Sequence, residues 1–307
     1  MNRLVIIGNG FDLHHELLTS YKNFRDYLAE EVIYNNSKAK FPRNSELLYL
    51  LDSYFYFERN WSDFEEKLSS FDLQAFIEEE GLDLVRDDGE DIRPMHDQAA
   101  IEDNCFAKLD LLINGIPKEI NNWIYSLSYD NIDKDLIVKC FDNQDMFISF
   151  NYSSTLEYVY QIHSSQIIHI HGLAQQSFIN KEQIIVGHGK NNVEIPNYKH
   201  RTNLLHDMFA EDTYEKCKHF YKDTYKNPFT QIYFLSPYLS RMKQCKEMLI
   251  LGHSLGFVDE EYFKYMSKII QPGAKINVFY HDLRELDNLK YRAEKYFFPH
   301  EIIFLEW

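Results

Sequence analysis

Residues 4–24, LVIIGNGFDLHHELLTSYKNF, join a short apolar run to a turn that contains two glycines. An apolar run followed by G-x-G is typical of the first strand and turn of a dinucleotide-binding unit. That fingerprint requires a third glycine, and Leu13 occupies its position. It also requires a second strand that ends in an acidic residue about 20 residues later, whereas residues 21–34 have a helical pattern. The stretch therefore predicts a buried strand and a ligand-binding turn without the complete fingerprint.

Length, charge and cysteine content limit the class of protein. The 307 residues, 45% of them hydrophobic, suit one large domain or two modest ones. The net charge of −16 argues against a protein that coats nucleic acid, because Lys and Arg supply most of the affinity for phosphates. The 4 cysteines lie far apart without a C-x-x-C pair, so neither zinc nor a disulfide scaffold is indicated. Without a signal-peptide pattern or a membrane-spanning apolar stretch, we expect a cytoplasmic protein that is not bound to a membrane.

Short apolar runs that alternate with amphipathic segments predict a sheet covered by helices on both faces. Strands are predicted at residues 4–7, 146–150, 167–170, 183–186, 248–251, 275–280 and 301–306, and later helices at 154–163, 229–245, 259–270 and 283–297. Residues 20–140 have a helical pattern, apart from an exposed acidic loop at 83–103 and a kink at Pro117. The pattern predicts a Rossmann-like α/β fold: a single domain over residues 1–307, with a mostly parallel sheet. Residues 20–140 are then a large helical insertion after the first strand, placed as a lid over the carboxyl edge of the sheet.

Glycine and polar residues follow five of the predicted strands. Ligands of parallel sheets bind beyond the carboxyl ends of the strands. Glycine allows a ligand to approach the backbone, while Asn, His, Ser and Asp supply hydrogen-bonding groups. Each strand end alone also fits an ordinary turn, but together they predict a common pocket. The candidate site residues are Gly8, Asn9, Gly10, Phe11, Asp12, His14, Asn151, Ser153, His171, Gly172, His188, Gly252, His253, Ser254 and Asp259.

Two histidines near the third predicted strand have different expected roles. We expect His169 to be a buried histidine whose ring bonds a carbonyl group, and His171 to have a functional role at the strand end. We also expect their side chains to point to opposite faces, so that they cannot share a metal ion, and the sequence contains no H-E-x-x-H motif. A nuclease needs clustered carboxylates and a basic track, and the basic residues 199–201 fit a solvated loop better. We therefore expect neither a metal ion nor nucleic acid as a partner.

Several motifs resemble the AbiH family of bacterial phage abortive-infection proteins, and they occur in the order of that family. They are IIGNGFDLHHELLTSY (6–21), WSDFEEKL (61–68), FISFNYSSTLEYVY (147–160), IHIHG (168–172), VGHG (186–189) and ILGHSLGFVDEEYF (250–263). The resemblance implies a role in antiviral defence by abortive infection. It also implies a phage-derived trigger as a partner, and it leaves open whether the protein is a homo-oligomer.

The order of strand ends, G-x-G, Asn, His-Gly and G-x-S, is similar to that of sirtuins and sirtuin-like NAD-cleaving effectors. This resemblance implies that Gly8 and Gly10 hold the phosphates of NAD, and that the G-x-S turn at Ser254 contacts the adenosine. It places Asn151 and His171 at the nicotinamide ribose. The zinc-binding cysteine pairs of sirtuins are absent, which argues against deacylase activity.

NAD cleavage suits these residue types. Nicotinamide leaves as a neutral base, so the reaction needs a held ribose and a base for the attacking water. A histidine with a pKa of about 6.5 can accept that proton, and an asparagine amide can hold a hydroxyl group or the water. We therefore predict that His171 is the general base and Asn151 the positioning group of an NAD glycohydrolase. A nucleotide sensor that binds NAD or ADP-ribose without turnover, and a toxic nuclease, stay open as alternatives.

Overall fold

The structure is a computed structural model that describes residues 3–33, 40–80, 95–180, 183–195 and 207–307. It contains two compact units, one of residues 1–23, 120–185 and 227–307, the other of 24–119 and 186–226. The strands are β1 (Arg3–Ile7), β2 (Glu31–Ile33), β3 (Lys40–Pro42), β4 (Met146–Ser149), β5 (Ile167–His169), β6 (Glu247–Leu251), β7 (Lys275–Tyr280) and β8 (Glu301–Glu306). The helices are α1 (Asn9–His14), α2 (Tyr21–Ala29), α3 (Ser45–Tyr54), α4 (Phe64–Lys67), α5 (Leu73–Glu80), α6 (Met95–Asp110), α7 (Ile116–Tyr125), α8 (Thr155–Tyr158), α9 (Asp207–Asp223), α10 (Pro228–Phe234), α11 (Leu239–Met242), α12 (Glu260–Ile269) and α13 (Leu286–Phe297).

The first unit is built on a six-stranded sheet in which every described pairing is parallel. The strand order is β5-β4-β1-β6-β7-β8, so β1 lies between β4 and β6. Numbered within this sheet alone, the order is 3-2-1-4-5-6, which doubly wound sheets have. The predicted α/β class and the mostly parallel sheet are therefore confirmed.

Alternate side chains of β1 pack into two apolar clusters. Leu4 and Ile6 belong to one cluster, which includes side chains of α12 and α13. Val5 and Ile7 belong to the other, which includes Phe11 of α1. Because both faces of the sheet are buried, its strands consist of continuous apolar runs, as expected for a parallel sheet. These strands could be predicted from the sequence because of their apolar runs.

The second unit is mainly helical, with a two-stranded antiparallel hairpin of β2 and β3. Helix α9 contacts both α5 and α6. The ring of Phe71 lies 4.7 Å from the ring of Phe220, measured between centroids. Helix α9, which the sequence pattern does not connect with the preceding helices, therefore shares the core of this unit.

Three predicted elements differ from the expectation. Residues 183–186 do not form a strand, and Ile184 makes a single bridge with Gly172. The helix predicted at 154–163 ends at Tyr158, because Gln161 has a φ of 54°, which a helix cannot contain.

The helix predicted at 229–245 consists of two short helices, α10 and α11. Pro237 lies between them and lacks the N–H group that a continuing helix needs. The irregularity expected at Pro117 is a π-helical segment, Leu111–Gly115, between α6 and α7. A proline ring collides with the carbonyl group four residues earlier, and the wider turn before Pro117 accommodates it.

The prediction of an acidic loop at 83–103 is wrong for residues 95–103, which belong to α6. Residues 83–94, like the basic residues 199–201, lie outside the described part of the chain. The described residues contain no helix that is both long and apolar enough to cross a membrane.

Candidate functional site

The carboxyl ends of β1, β4, β5 and β6 lie side by side at one edge of the sheet. The register pairs Ile7 with both Ser149 and Leu251, and Ser149 with His169. The segments that follow these strands are therefore neighbours within the first unit, whereas His188 belongs to the second unit. The predicted residues that the structure brings to this edge are Gly8, Asn9, Gly10, Asp12, Asn151, Ser153, His171, Gly172, Gly252, His253, Ser254 and Asp259.

A buried carboxylate joins the segment after β1 to the segment after β4. Asp12 is 1% exposed and accepts hydrogen bonds from Ser153 Oγ at 2.5 Å and Thr155 Oγ1 at 2.6 Å. Asn151 Nδ2 donates to the Gly8 carbonyl oxygen at 3.0 Å. Burial raises the pKa of Asp12 from its ordinary 3.8 to about 6, although the hydrogen bonds that it accepts lower it. These residues, Asp12, Asn151, Ser153 and Thr155, are called the Asp12 cluster below.

A second polar group lies at the ends of β5 and β6. The Asp259 carboxylate lies between two rings, with Oδ1 3.4 Å from His171 Nε2 and Oδ2 3.4 Å from His253 Nε2. His253 Nδ1 accepts a hydrogen bond from the Leu255 N–H at 2.9 Å, so the proton of the neutral ring is on Nε2 and faces Asp259. His171 is 2% exposed, and the ring of Phe150 meets it edge-on. A histidine beside a carboxylate and among apolar groups is suited to accept a proton.

His169 and His171 contact different partners, Glu157 of α8 and Asp259 respectively. Residues two apart in a regular strand share a face, so a longer β5 would align them. β5 ends at His169, and the Gly172 N–H donates to the His169 carbonyl oxygen at 3.1 Å to close a turn. His169 Nε2 pairs with Glu157 Oε1 at 2.8 Å. The main partner of His169 is therefore a carboxylate of α8, and the expected carbonyl contact is secondary. Among the described residues, no group of three or more His, Cys, Asp or Glu side chains is placed to hold a metal ion.

The glycines after β1 and β6 let two strand ends pack backbone against backbone. A Cβ atom at Gly10 would lie 2.9 Å from the Gly252 Cα, and one at Gly252 would lie 2.0 Å from the Phe11 nitrogen. The N–H groups of Gly8, Gly10 and Phe11 donate to carbonyl oxygens of Leu251, Gly252 and Gly8 at 3.0, 2.7 and 2.9 Å. These three N–H groups are not directed at a ligand. The phosphate contact predicted for this turn stays a prediction.

Three predicted ligand contacts after β1 have structural partners instead. Phe11 is fully buried, and its ring stacks near that of Trp307 at 6.0 Å. The His14 ring stacks on Trp307 at 4.3 Å, and its Nε2 lies 3.0 Å from a backbone carbonyl oxygen. Asn9 Nδ2 donates to the Thr19 carbonyl oxygen at 2.9 Å. Because α1 begins at Asn9, within the turn, these side chains have partners inside the first unit.

His188 and Gly172 also have structural roles in this conformation. His188 is fully buried in the second unit, where its N–H donates to the Thr224 carbonyl oxygen at 3.0 Å and its Nε2 lies 3.0 Å from the Tyr221 carbonyl oxygen. Burial lowers the pKa of His188. Gly172 has a φ of 86°, and a Cβ there would lie 2.0 Å from the Gln183 carbonyl oxygen. Both positions are fixed by close backbone packing.

Sequence reasoning missed a buried ion pair in the second unit. Lys226 is 1% exposed, and its Nζ lies 2.9 Å from Glu65 Oε2. Glu65 belongs to the motif WSDFEEKL, but nothing in the sequence indicates a partner 161 residues later. Breaking one side of such a buried pair costs about 3–5 kcal/mol, so Lys226 fixes the position of α4 and its glutamate. Thr155 was also missed, although it stands two residues from Ser153 in a quoted motif.

Comparison with known proteins identifies the family. The family model described as Bacteriophage abortive infection AbiH matches residues 4–280. No curated protein and no solved structure matches the chain. The matched residues run from β1 to the end of β7 and include every strand end described above. The chain therefore belongs to the AbiH family of bacteriophage abortive infection proteins.

Proposed function

We propose that this protein acts in abortive infection by binding NAD and hydrolysing it to nicotinamide and ADP-ribose. The observation that carries the proposal is the pair of His171 and Asp259 at the edge where parallel sheets bind ligands. The strand order 3-2-1-4-5-6 supports a Rossmann-like, sirtuin-like interpretation of the sheet, because doubly wound sheets of this order bind dinucleotides.

The proposed reaction breaks the bond between the anomeric carbon of the ribose and the nicotinamide nitrogen. Nicotinamide leaves as a neutral base with the electron pair of that bond, and the oxygen of water bonds to the anomeric carbon. His171 accepts the proton of this water, and Asp259 stabilises the imidazolium that results. The products are nicotinamide, ADP-ribose and one proton.

Asn151 has a structural role in addition to the proposed catalytic one. Its amide nitrogen donates to the Gly8 carbonyl oxygen at 3.0 Å, so the residue joins the ends of β4 and β1 in addition to positioning the ribose or the water. Substituting Asn151 therefore disturbs the fold as well as the reaction. His171 is 2% exposed, and the proposal requires that neighbouring side chains move when NAD binds. His171 is the better residue for a test.

The test compares His171→Gln with His300→Gln in purified protein incubated with NAD, with free nicotinamide measured by chromatography. Glutamine keeps a polar side chain but cannot accept a proton at neutral pH. Loss of a positioned base lowers the rate by a factor of about 10²–10⁴, and we expect that loss for His171→Gln. His300 lies directly before β8, at the amino edge of the same sheet, with Nε2 2.8 Å from the Ser267 carbonyl oxygen. We expect His300→Gln to keep the wild-type rate, and thermal unfolding of both variants shows whether they are folded.

Other outcomes separate the alternatives. If His171→Gln is folded and releases nicotinamide at the wild-type rate, His171 is not the base. If the wild-type protein binds ADP-ribose but releases no nicotinamide, even in phage-infected cells, it is a sensor. If infected cells keep their NAD while their RNA or DNA is cut by this protein, it is a nuclease.

A further inference from the structure

The side chain of Arg292, on α13, lies against the loop that follows β6. Its Nη1 donates to the Ser254 carbonyl oxygen at 2.9 Å, and its guanidinium carbon lies 5.2 Å from the centre of the Phe257 ring. Arg3 and Arg284 pair with aspartates at 2.5 Å, whereas no carboxylate in the described part of the chain lies at ion-pair distance from Arg292. Arg292 therefore carries a positive charge that no described side chain neutralises.

The ring of Phe257 is the second part of this surface. It is 52% exposed, although it is large and apolar. The Nζ of Lys295 lies 5.5 Å from its centre and also binds Glu260 at 2.9 Å. A guanidinium beside an exposed ring offers a phosphate two parallel hydrogen bonds and offers a base a stacking surface. An exposed Phe alone would mean nothing, but its combination with Arg292 matches the chemistry of a nucleotide.

The position of this surface in the fold also favours a nucleotide. The chain runs from β1 to β4 and β5 on one side, and β6, β7 and β8 lie on the other. The strand order therefore reverses between β1 and β6, which is where open α/β sheets bind ligands. Asp259, which lies 3.4 Å from both His171 Nε2 and His253 Nε2, belongs to the same loop as Ser254 and Phe257.

Three N–H groups of the glycine turn are already bonded, so a side-chain donor is favoured for a phosphate at this edge. The N–H groups of Gly8, Gly10 and Phe11 donate within the chain, and the net charge of −16 repels anions. We propose that Arg292 and Phe257 form the subsite for the phosphate and the adenine of the dinucleotide, an inference that rests on the proposed function. Arg292 binds a phosphate oxygen while its bond to the Ser254 carbonyl oxygen keeps the guanidinium in place, and Phe257 stacks on the base.

The test measures the affinity for ADP-ribose, which has both groups and is not a substrate, by titration calorimetry. We expect Arg292→Gln to raise the Kd about 10- to 100-fold, because a charge-assisted hydrogen bond is lost. Arg292→Lys should be intermediate, since lysine keeps the charge but not the planar fork. Phe257→Leu should raise the Kd about tenfold through lost stacking. Arg284→Gln, at an exposed arginine that pairs with Asp282, is the matched control and should bind as the wild type does.

The outcomes separate this inference from the proposed function. If the wild type binds ADP-ribose and a folded Arg292→Gln binds it equally well, the subsite is wrong and the proposed function stands. If the wild type binds neither NAD nor ADP-ribose, the proposed function fails, and the subsite with it. If Arg284→Gln weakens binding as much as Arg292→Gln, the effect is one of general charge and the subsite is wrong. If Arg292→Gln does not fold, Arg292→Lys and Phe257→Leu are used to test the subsite. Wild-type affinity for ADP-ribose in both variants overturns the inference.

Discussion

The Asp12 cluster and the loop of residues 252–259 lie at the same edge of the sheet and use the same residue types, but they differ in what their polar groups contact. Asp12, Ser153 and Thr155 are buried, and their side chains bond one another. In the 252–259 loop, Ser254 and Phe257 are exposed. Glycine, serine and aspartate at a strand end therefore indicate either a closed internal junction or a surface open to ligands. The strand end is a closed junction where the polar side chains bond other groups of the chain, and it is open to ligands where they do not.

The largest effect is expected within the 252–259 loop itself, between its two glycines. Gly252 has a φ of 65°, and a Cβ there would lie 2.0 Å from the Phe11 nitrogen. Gly252→Ala should lower the free energy of unfolding by about 4 kcal/mol or more, because backbone must move apart at the β1–β6 junction. Urea unfolding measures the change, and loss of soluble protein is the same result in extreme form.

Gly256→Ala is the matched control for that substitution. Gly256 has a φ of −60°, and the nearest atom to a Cβ there is Ser254 Oγ at 3.5 Å. Alanine fits this conformation, so the variant should be unchanged or more stable by about 0.4–1 kcal/mol. Similar losses for Gly252→Ala and Gly256→Ala would show that the close approach of the two strand ends does not matter.

The next effect concerns the pH dependence of the Asp12 cluster. Burial raises the pKa of Asp12 from 3.8 to about 6, so the folded protein binds the proton more tightly than the unfolded chain does. This contribution to stability is fully present below pH 4 and is lost as the pH rises through about 6. With about 1.4 kcal/mol for each unit of pKa, the loss is about 3 kcal/mol.

Asp12→Asn removes this titration, while the hydroxyl groups of Ser153 and Thr155 can still donate to or accept from the amide. The stability of the variant relative to the wild type should therefore increase between pH 4 and pH 7, by about 3 kcal/mol at most. Urea unfolding of both proteins at several pH values measures this difference. A difference that stays constant with pH would mean that Asp12 is not protonated preferentially in the folded state.

The sequence predicted the sheet because each strand carries its own signal. β1, β4, β6 and β7 are apolar runs, as expected for strands buried on both faces, although the similar run at 183–186 does not form a strand. The failures lie where contacts decide the structure. The helix predicted at 154–163 ends early because Gln161 has a positive φ, which the sequence pattern does not indicate. Phe11 follows the glycine turn, but its side chain lies in the core.

The candidate site was predictable only to the level of strand ends. His171 and Asn151 could be placed at one edge, because the ends of parallel strands meet there. Asp259 was among the candidates, but its pairing with His171 was not predictable, and neither was the contact of Arg292 with the Ser254 carbonyl oxygen. Spacing in sequence does not say which distant side chains meet. For the same reason the ion pair of Lys226 with Glu65 could not be predicted, because it depends on packing within the second unit.

The smallest expected effect on stability is the difference between alanine substitutions of Ser153, in the Asp12 cluster, and Ser254, in the 252–259 loop. Ser153 Oγ donates to Asp12 Oδ2 at 2.5 Å and lies 3.1 Å from Thr155 Oγ1, all within a buried group. Ser153→Ala leaves a buried carboxylate oxygen without that donor and should lower the free energy of unfolding by about 1–3 kcal/mol. Ser254 is exposed, and Arg292 uses its backbone carbonyl oxygen, not its hydroxyl group. Ser254→Ala should therefore stay within about 0.5 kcal/mol of the wild type.

The pH at which the two serine variants are compared sharpens this last prediction. The bond from Ser153 lowers the pKa of Asp12, so its loss raises that pKa further and weakens the ionised form most. The destabilisation by Ser153→Ala should then be larger at pH 7.5 than at pH 4.5, whereas Ser254→Ala should show no such trend. Urea unfolding at the two pH values measures both variants. If Ser153→Ala costs the same at both, the hydroxyl group stabilises the protonated and ionised carboxyl equally, and the Asp12 cluster differs from the exposed loop in burial alone.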